Sequence, residues 1–451
     1  MHVMRLWVVG LLLCIAGLVL AAGSTGWRGD GTGRFPVAAP ATEWSKEKNV
    51  LWATALPAWS NASPILVGDR LYVTAEPNLL VCVNAIDGKI LWQHPVDYYD
   101  TITPGLAEKV RAADKLLNEF NEMARQIEQN PGRLEGYTRL GELCTTINGN
   151  KENAELLTLA KTFHQPPTHG DNGYASSTPA SDGTNTFVLL GSGVVACFDK
   201  EGTRKWCVLP AKPSNVWGHS ASPLVVGAVV LVHIENKVIA LDAATGNERW
   251  RTQVNGQAWG SPVSARLGAT ELVITASGDI LRVADGKRLA SNLGGLNYNA
   301  PVVQDNVVYF IDGERTARAF KLPAEATEEM KVEKLWDVRI RGDRYYASPL
   351  IDNGLVYAIN QAAHLVVLDA TTGALVYEKD LDLGNGTVYP SITLAGANIF
   401  ISRDNGATLV LTPGKEYKEV AKNSIEAFRG TPIFDGARMY LRARTTLFCI
   451  G

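Results

Sequence analysis

Residues 240–250 read Ala240-Leu241-Asp242-Ala243-Ala244-Thr245-Gly246-Asn247-Glu248-Arg249-Trp250, and this stretch decides the fold. A β-rich run ends at Asp242, a turn follows, and a second β-rich run carries Trp250. Asp and Thr side chains bond turn amides, Gly takes positive φ without a Cβ clash, and the indole brings roughly 200 Å² of surface to bury. The stretch is therefore a β-hairpin whose outgoing strand needs a neighbour to cover its tryptophan. Other parts of the chain keep the geometry: Asn84, Gly88 and Trp92; Gly202 and Trp206; Asp369, Thr372, Gly373 and Tyr377. Lys334-Leu335-Trp336 shows the same outgoing strand after a longer loop.

The hairpins sit inside a larger repeat. A residue followed by proline opens each copy, at Ser63-Pro64, Thr178-Pro179, Ser222-Pro223, Ser261-Pro262, Ala300-Pro301, Ser348-Pro349 and Thr431-Pro432, with Tyr389-Pro390 as a degenerate copy. Successive prolines lie 115, 44, 39, 39, 48, 41 and 42 residues apart. Four short strands per roughly 40 residues make a propeller blade, and closing eight of them into a ring removes long open edges. The expected fold is all-β, an eight-bladed β-propeller over 49–451. The last copy stops at Thr446 to Gly451, one strand short, and Asn49 to Ala55 is expected to supply that strand and close the ring. Deleting Gly26 to Thr42, within the extension 24–48, is expected to be mild.

Ala240-x-Asp242-x-x-Thr245-Gly246-x-Glu248-x-Trp250 resembles the tryptophan-docking signature of the pyrroloquinoline-quinone-type (PQQ-like) β-propeller repeat. The resemblance covers about 49–451 outside one insertion. It implies that Trp92, Trp206, Trp250 and Trp336 wedge between neighbouring blades, with Asp242, Gly246, Asp369, Gly373 and Tyr377 as further blade-docking positions. The lead Gly26-Trp27-Arg28-Gly29-Asp30-Gly31 is similar to that of exported bacterial members. In repeat type the chain resembles the propeller lipoproteins of the outer-membrane β-barrel assembly machinery.

The first gap exceeds a blade of about 42 residues by about 73, which map to 97–170. There the period changes. Leu106, Val110, Ala113, Leu117, Phe120, Ala124 and Ile127 make a helical seam, and two further helices are expected at about 134–147 and 152–163. The expected insertion is a helical excursion after the first blade, either self-packed or a docking arm for a partner.

Composition bounds the function. Net charge is −3, from 43 basic and 46 acidic residues with no dense basic run, so nucleic acid is not an expected partner. Arg5, the apolar run Leu6 to Leu20 and Ala21-Ala22-Gly23-Ser24 have the order of a secretory signal, giving a signal peptide over 1–23 and an exported chain, in the periplasm or cell envelope or secreted. Retention as a short membrane anchor is the alternative; with the signal removed, no stable span is expected. Cys14 follows Leu11-Leu12-Leu13 rather than the small residue that lipid attachment wants. Cys82, Cys144, Cys197, Cys207 and Cys449 form no disulfide framework, although Cys197 and Cys207 flank one hairpin and pose the question of a cross-strand pair. Seven scattered histidines and the absence of Cys-x-x-Cys leave no metal or cofactor site to expect.

Quinoprotein dehydrogenases share the repeat, and the resemblance implies a cofactor resting on a disulfide of adjacent cysteines beside an acidic and amide calcium set. This chain has no Cys-Cys dipeptide. What recurs instead is an aromatic before each proline: Trp59, Tyr174, Trp217, Trp259, Tyr298, Tyr345 with Tyr346, Tyr389 and Phe428. These segments enter the innermost strands and gather near the axis, either as packing or as a concave face for a peptide, a β-strand or a glycan. His219, Asn61, Asn299, Arg344 and Arg429 would be its polar contacts. The expected function is an exported, non-enzymatic scaffold for protein partners in the cell envelope. Alternatives are a quinone-dependent oxidoreductase or redox sensor, and a glycan-binding module. The sequence leaves the oligomeric state open.

Overall fold

The computed structural model describes residues 25–129, 138–143, 145, 165–256, 259–312 and 315–451. The signal segment and the expected third helix at 152–163 lie outside the described residues.

Eight four-stranded antiparallel blades stand around one axis, in chain order 65–95, 180–208, 224–253, 263–290, 302–339, 350–380, 393–424 and 433–450 with 50–55. The middle strands of a blade are covered on both faces, so Val229–Ile234 is buried throughout, while the outermost strand Glu248–Gln253 alternates. In the eighth blade Val50–Ala55 pairs antiparallel with Thr446–Ile450, Val50 opposite Ile450 and Ala55 opposite Thr446. The ring closes as the sequence predicts.

The tryptophans dock across blade boundaries. Gly88, Gly202, Gly246, Gly286 and Gly373 all have positive φ, and a Cβ there would fall within 2.4 to 2.8 Å of the indole of Trp52, Trp92, Trp206, Trp250 and Trp336 respectively. Trp250 thus covers the turn of the following blade, not its own. Four of the indole N–H groups donate to a carbonyl of that turn: Trp92 to Lys200, Trp206 to Ala243, Trp250 to Val283 and Trp336 to Ala370, at 2.9 to 3.0 Å. Tyr377 holds the equivalent place in the sixth blade, half-buried against the seventh. Within the turns, Asp242 accepts from the Ala244 and Thr245 amides and the Thr245 hydroxyl, and Asp369 does the same for Thr371 and Thr372. Bonds from Arg249 and then Thr245 hold the Asp242 carboxyl down at about 2.

Cys82, Cys197 and Cys449 sit opposite Trp92, Trp206 and Trp52 in the ladders, where Ala240 sits opposite Trp250. They fill a small slot beside an indole. Because Cys197 pairs with Trp206, its neighbour Cys207 points to the other face of the blade, and the two thiols belong to different apolar clusters. Both are free, which answers the cross-strand question. Burial pushes each thiol up to about 12.

The insertion leaves the first blade through a short 3-10 turn, Tyr98–Thr101, capped by Asp97, and continues as the helix Pro104–Gln129. Of its expected seam Val110 and Ala113 are buried and Leu106 and Leu117 half-buried, with Ala107 buried in place of Leu106, and residues 138–143 are helical with Leu143 buried. Asp100 ties the base to Arg204 of the second blade at 2.5 Å.

The extension 24–48 corrects an expectation. Its described part is a strap, not a loose lead: Arg34–Phe35 pairs parallel with the inner strand of the seventh blade. Trp44 and Phe35 join the core beneath the eighth blade. The Arg28 side chain is fully buried. A deletion of Gly26 to Thr42 would remove the Arg28, Arg34 and Phe35 contacts, so the structure does not support the expectation that it is mild.

Candidate functional site

The residues that begin the blades form a hydrogen-bonded circle at the axis. The Ser63 N–H donates to Thr178 Oγ1, Thr178 N–H to Ser222 Oγ, and Ser222 N–H to Ser261 Oγ. The circle resumes with Ala300 N–H to Ser348 Oγ, Ser348 N–H to Ser391 Oγ, Ser391 N–H to Thr431 Oγ1 and Thr431 N–H to Ser63 Oγ. All seven distances lie between 2.8 and 3.1 Å, and the single break falls where Ala300 lacks a hydroxyl. The degenerate copy, which is the seventh blade, is thus anchored by Ser391, with Ile392 in the proline place. Tyr389-Pro390 lies two residues before the register of the other anchors.

Counting back from this circle sorts the aromatics. Two residues before each ring member stand Asn61, Ser176, Ser220, Trp259, Tyr298, Tyr346, Tyr389 and Arg429, and all eight line one cavity of about 480 Å³ whose floor is the ring itself. One residue further back the chain faces the blades, so Tyr345, Phe428 and His219 are buried in packing. Trp59, under Arg444, and Tyr174, bonded to the Pro166 carbonyl, also miss the cavity. Trp217 reaches the mouth and is 56% exposed.

Half of the wall is aromatic. Trp259 stacks on Tyr298 at 5.8 Å, Tyr298 meets Tyr346 at 4.9 Å, and Tyr346 meets Tyr389 at 4.7 Å. The Arg429 guanidinium covers Tyr389 at 4.5 Å, and Arg344 donates to the Tyr346 hydroxyl at 3.2 Å. The other half is polar, and the chain returning from the insertion bends over it. There the Asp171 carbonyl accepts from Asn61 at 2.8 Å and from Arg429 at 3.0 Å, Asn172 donates to the Trp217 carbonyl, and His169 packs on Trp217 at 4.4 Å. Residues 169–172 were missed as a wall element, because a loop that returns from a long excursion carries no periodic signal.

The far side of the ring is closed by the strap. Trp27 lines the cavity, and the Arg28 guanidinium lies over the Trp27 indole at 5.3 Å. Arg28 donates to the carbonyls of Thr32, Pro349 and Ile392 at 2.8 to 3.0 Å. Burial pulls this guanidinium down to about 9.

Among the described residues no three His, Cys, Asp or Glu side chains come together as a metal set. The lining does not fit an acidic quinone with calcium: among the described residues its single carboxylate, Asp171, is ion-paired with Arg429 at 3.3 Å, and the sequence has no adjacent cysteines to carry the ring. Histidine chemistry has little support inside the blades either, since burial lowers His219 and His233 to about 4 and keeps both neutral.

Comparison with known proteins agrees with this architecture. The family model described as outer membrane protein assembly factor BamB matches residues 33–120 and 191–451. The chain is 23% identical over 392 residues to the outer membrane protein assembly factor BamB of Moranella endobia (strain PCIT), covering 85% of this chain and 83% of that protein. It is 24% identical over 308 residues to that of Yersinia pestis, covering 59% and 76%. Among solved structures, BamB from Moraxella catarrhalis superposes with a TM-score of 0.57 at 13% identity, covering 89% of this chain and 98% of that one. A europium-containing methanol dehydrogenase superposes with a TM-score of 0.57 at 13% identity over 93% of this chain and 89% of its own, so the fold alone does not separate scaffold from enzyme. The family match, spanning the first blade, the two outer strands of the second and all of the third to the eighth, does make a narrower assignment: the chain belongs to the family of the outer membrane protein assembly factor BamB.

Proposed function

We propose that the chain is a non-enzymatic scaffold of the bacterial cell envelope, exported behind residues 1–23, which holds protein partners during outer-membrane protein assembly. The observation that carries this reading is the extent of the family match, which takes in every part of the ring and the cavity wall outside Trp27 and residues 121–190. The lining supports it, because its one carboxylate is committed to Arg429 and its one histidine to Trp217. Partner contact is assigned to the aromatic mouth, since Trp and Tyr dominate interface energies and loops at a propeller mouth vary independently. The inserted helix Pro104–Gln129 is the second candidate surface.

Crosslinking in envelope extracts tests this with three proteins: the wild type, a Trp259→Ser/Tyr346→Ser variant, and a chain with 106–163 replaced by a short Gly/Ser linker. Capture of outer-membrane assembly proteins by the wild type, lost in one variant, supports the scaffold and names its surface. Equal capture by all three removes both surfaces. Stoichiometric quinone absorbance from the purified protein would return the assignment to redox chemistry.

A further inference from the structure

The axial ring satisfies its amides but not its hydroxyl hydrogens. Each ring oxygen accepts one amide N–H from the preceding blade, and among the described residues no protein acceptor takes the O–H of any of the seven. All seven side chains are at most 6% exposed and line the floor of the cavity. A hydroxyl that already accepts a hydrogen bond is polarised to donate one. The ring is therefore a circle of buried donors turned towards one axis.

A second observation gives the sign of what they would hold. Arg28 is fully buried, and its Nε and Nη1 atoms have no partner. Its carbonyl acceptors Pro349 and Ile392 directly follow the ring members Ser348 and Ser391, so the guanidinium lies about one peptide unit below the ring. The Asp30 carboxylate is exposed and bonded to the Thr32 amide and hydroxyl, and reaches Arg28 only through its charge, which does not offset the cost of burial. A buried cation with unused donors is costly without an anion nearby.

We propose that the ring floor, with Arg28 beneath it, binds an oxyanion group, a carboxylate or phosphate, on the propeller axis. The oxyanion is either a free ion or the end of a larger molecule whose planar body rests against Trp259, Tyr298, Tyr346 and Tyr389. The site shares its aromatic wall with the proposed partner surface, but its test does not depend on partner capture.

The test titrates the full chain calorimetrically with inorganic phosphate and with phenyl phosphate, against sodium chloride at matched ionic strength. Saturable binding of phosphate but not chloride is the expected result. Ala300 shows that the ring tolerates one missing hydroxyl, which makes two ring variants safe to fold. Ser391→Ala should weaken phosphate binding about tenfold, the worth of one hydrogen bond to a charged group, and Ala300→Ser should tighten it. Arg28→Met should abolish it. Tighter binding of phenyl phosphate, lost in Tyr346→Ser while inorganic phosphate binding persists, identifies a group carried on a planar body; equal affinities identify a free ion. Absence of saturable binding in the wild type, or unchanged affinity in both Ser391→Ala and Ala300→Ser, overturns the site and leaves a ring that only staples the blades.

Discussion

Between the third and fourth blades, the Trp250 indole covers Gly286, and the Ser222 N–H donates to Ser261 Oγ at the axis. One seam further on, between the fourth and fifth blades, both devices are missing. Ala290 stands opposite Ile280 where Trp250 stands opposite Ala240, and Ala300 offers no hydroxyl to the ring. The loop of the fifth blade closes this seam instead. Leu322 and Met330 are buried with Leu289 and Leu293 in one cluster, the Met330 N–H donates to the Leu289 carbonyl at 3.0 Å, and Glu328 pairs with Arg282 at 3.2 Å. A blade boundary thus needs filled volume and a few satisfied donors, and either one rigid indole or a folded-back loop provides them. The loop has the higher ordering cost, since each residue fixed costs about 1–2 kcal/mol of backbone entropy.

Substitutions on the two seams can break this contrast. Trp250→Ala should lower unfolding free energy by about 3 kcal/mol, the low end for an aromatic truncation, because the indole is half-buried but lies over a turn that cannot collapse. Chemical denaturation measures it, and a loss under 1 kcal/mol would mean that the indole is not a staple. Met330→Ala should cost about 2–3 kcal/mol, at the low end for core truncation because a flexible thioether leaves a site that adapts. Hydrogen exchange should place the first effect in the third and fourth blades and the second in the fourth and fifth.

Acid should load the third blade selectively. Burial depresses the folded-state values of His219 and His233 from 6.5 to about 4, His219 adds to the shift of His233, and Glu235 opposes both shifts. The unfolded chain binds these protons first, so their contribution is complete above about pH 6.5 and is lost as pH falls towards 4. Melting temperature followed from pH 7 to 4 should fall, with exchange rising first around 219–234; a flat profile counts against buried neutral histidines. The smallest effect is expected of Ser261→Ala, about 1 kcal/mol for one unpaired amide at the axis, which would make the first seam resemble the second there. A loss as large as that of Trp250→Ala would show the ring, not the outer girdle, to be the main staple.

The repeat was legible because its signals are local. Asp242, Gly246 and Trp250 specify a hairpin within eleven residues, and the strand deficit after Thr446 pointed to Asn49 to Ala55. What the tryptophan covers was not legible from the same stretch. Gly246 and Trp250 belong to different contacts, one receiving Trp206 and the other reaching Gly286. The cavity was half legible for a reason of parity. Tyr345 and Tyr346 look equivalent in sequence, yet one is buried and the other lines the wall, because the ring bond at Ser348 sets which neighbour faces the axis. The serines and threonines before the prolines were visible as strand starts, but their bonding partners are in the next blade, about 40 residues away or more. Arg28 gave no signal, since a lone arginine in a glycine-rich lead reads as solvated until the strap is seen crossing beneath the ring.

The pairing of Val50–Ala55 with Thr446–Ile450 has a kinetic meaning. Loop-closure entropy must be spent before such a distant contact returns anything, so this sheet belongs to the end of the folding sequence, after blades built from adjacent hairpins. Until then Thr446–Ile450 is an unpaired β-edge, able to recruit another chain as readily as its own. The interval between the emergence of that strand and its capture by residues 50–55 is the stage of biogenesis most exposed to misassembly, and it is there that a holding factor would shorten the protein's hazard most.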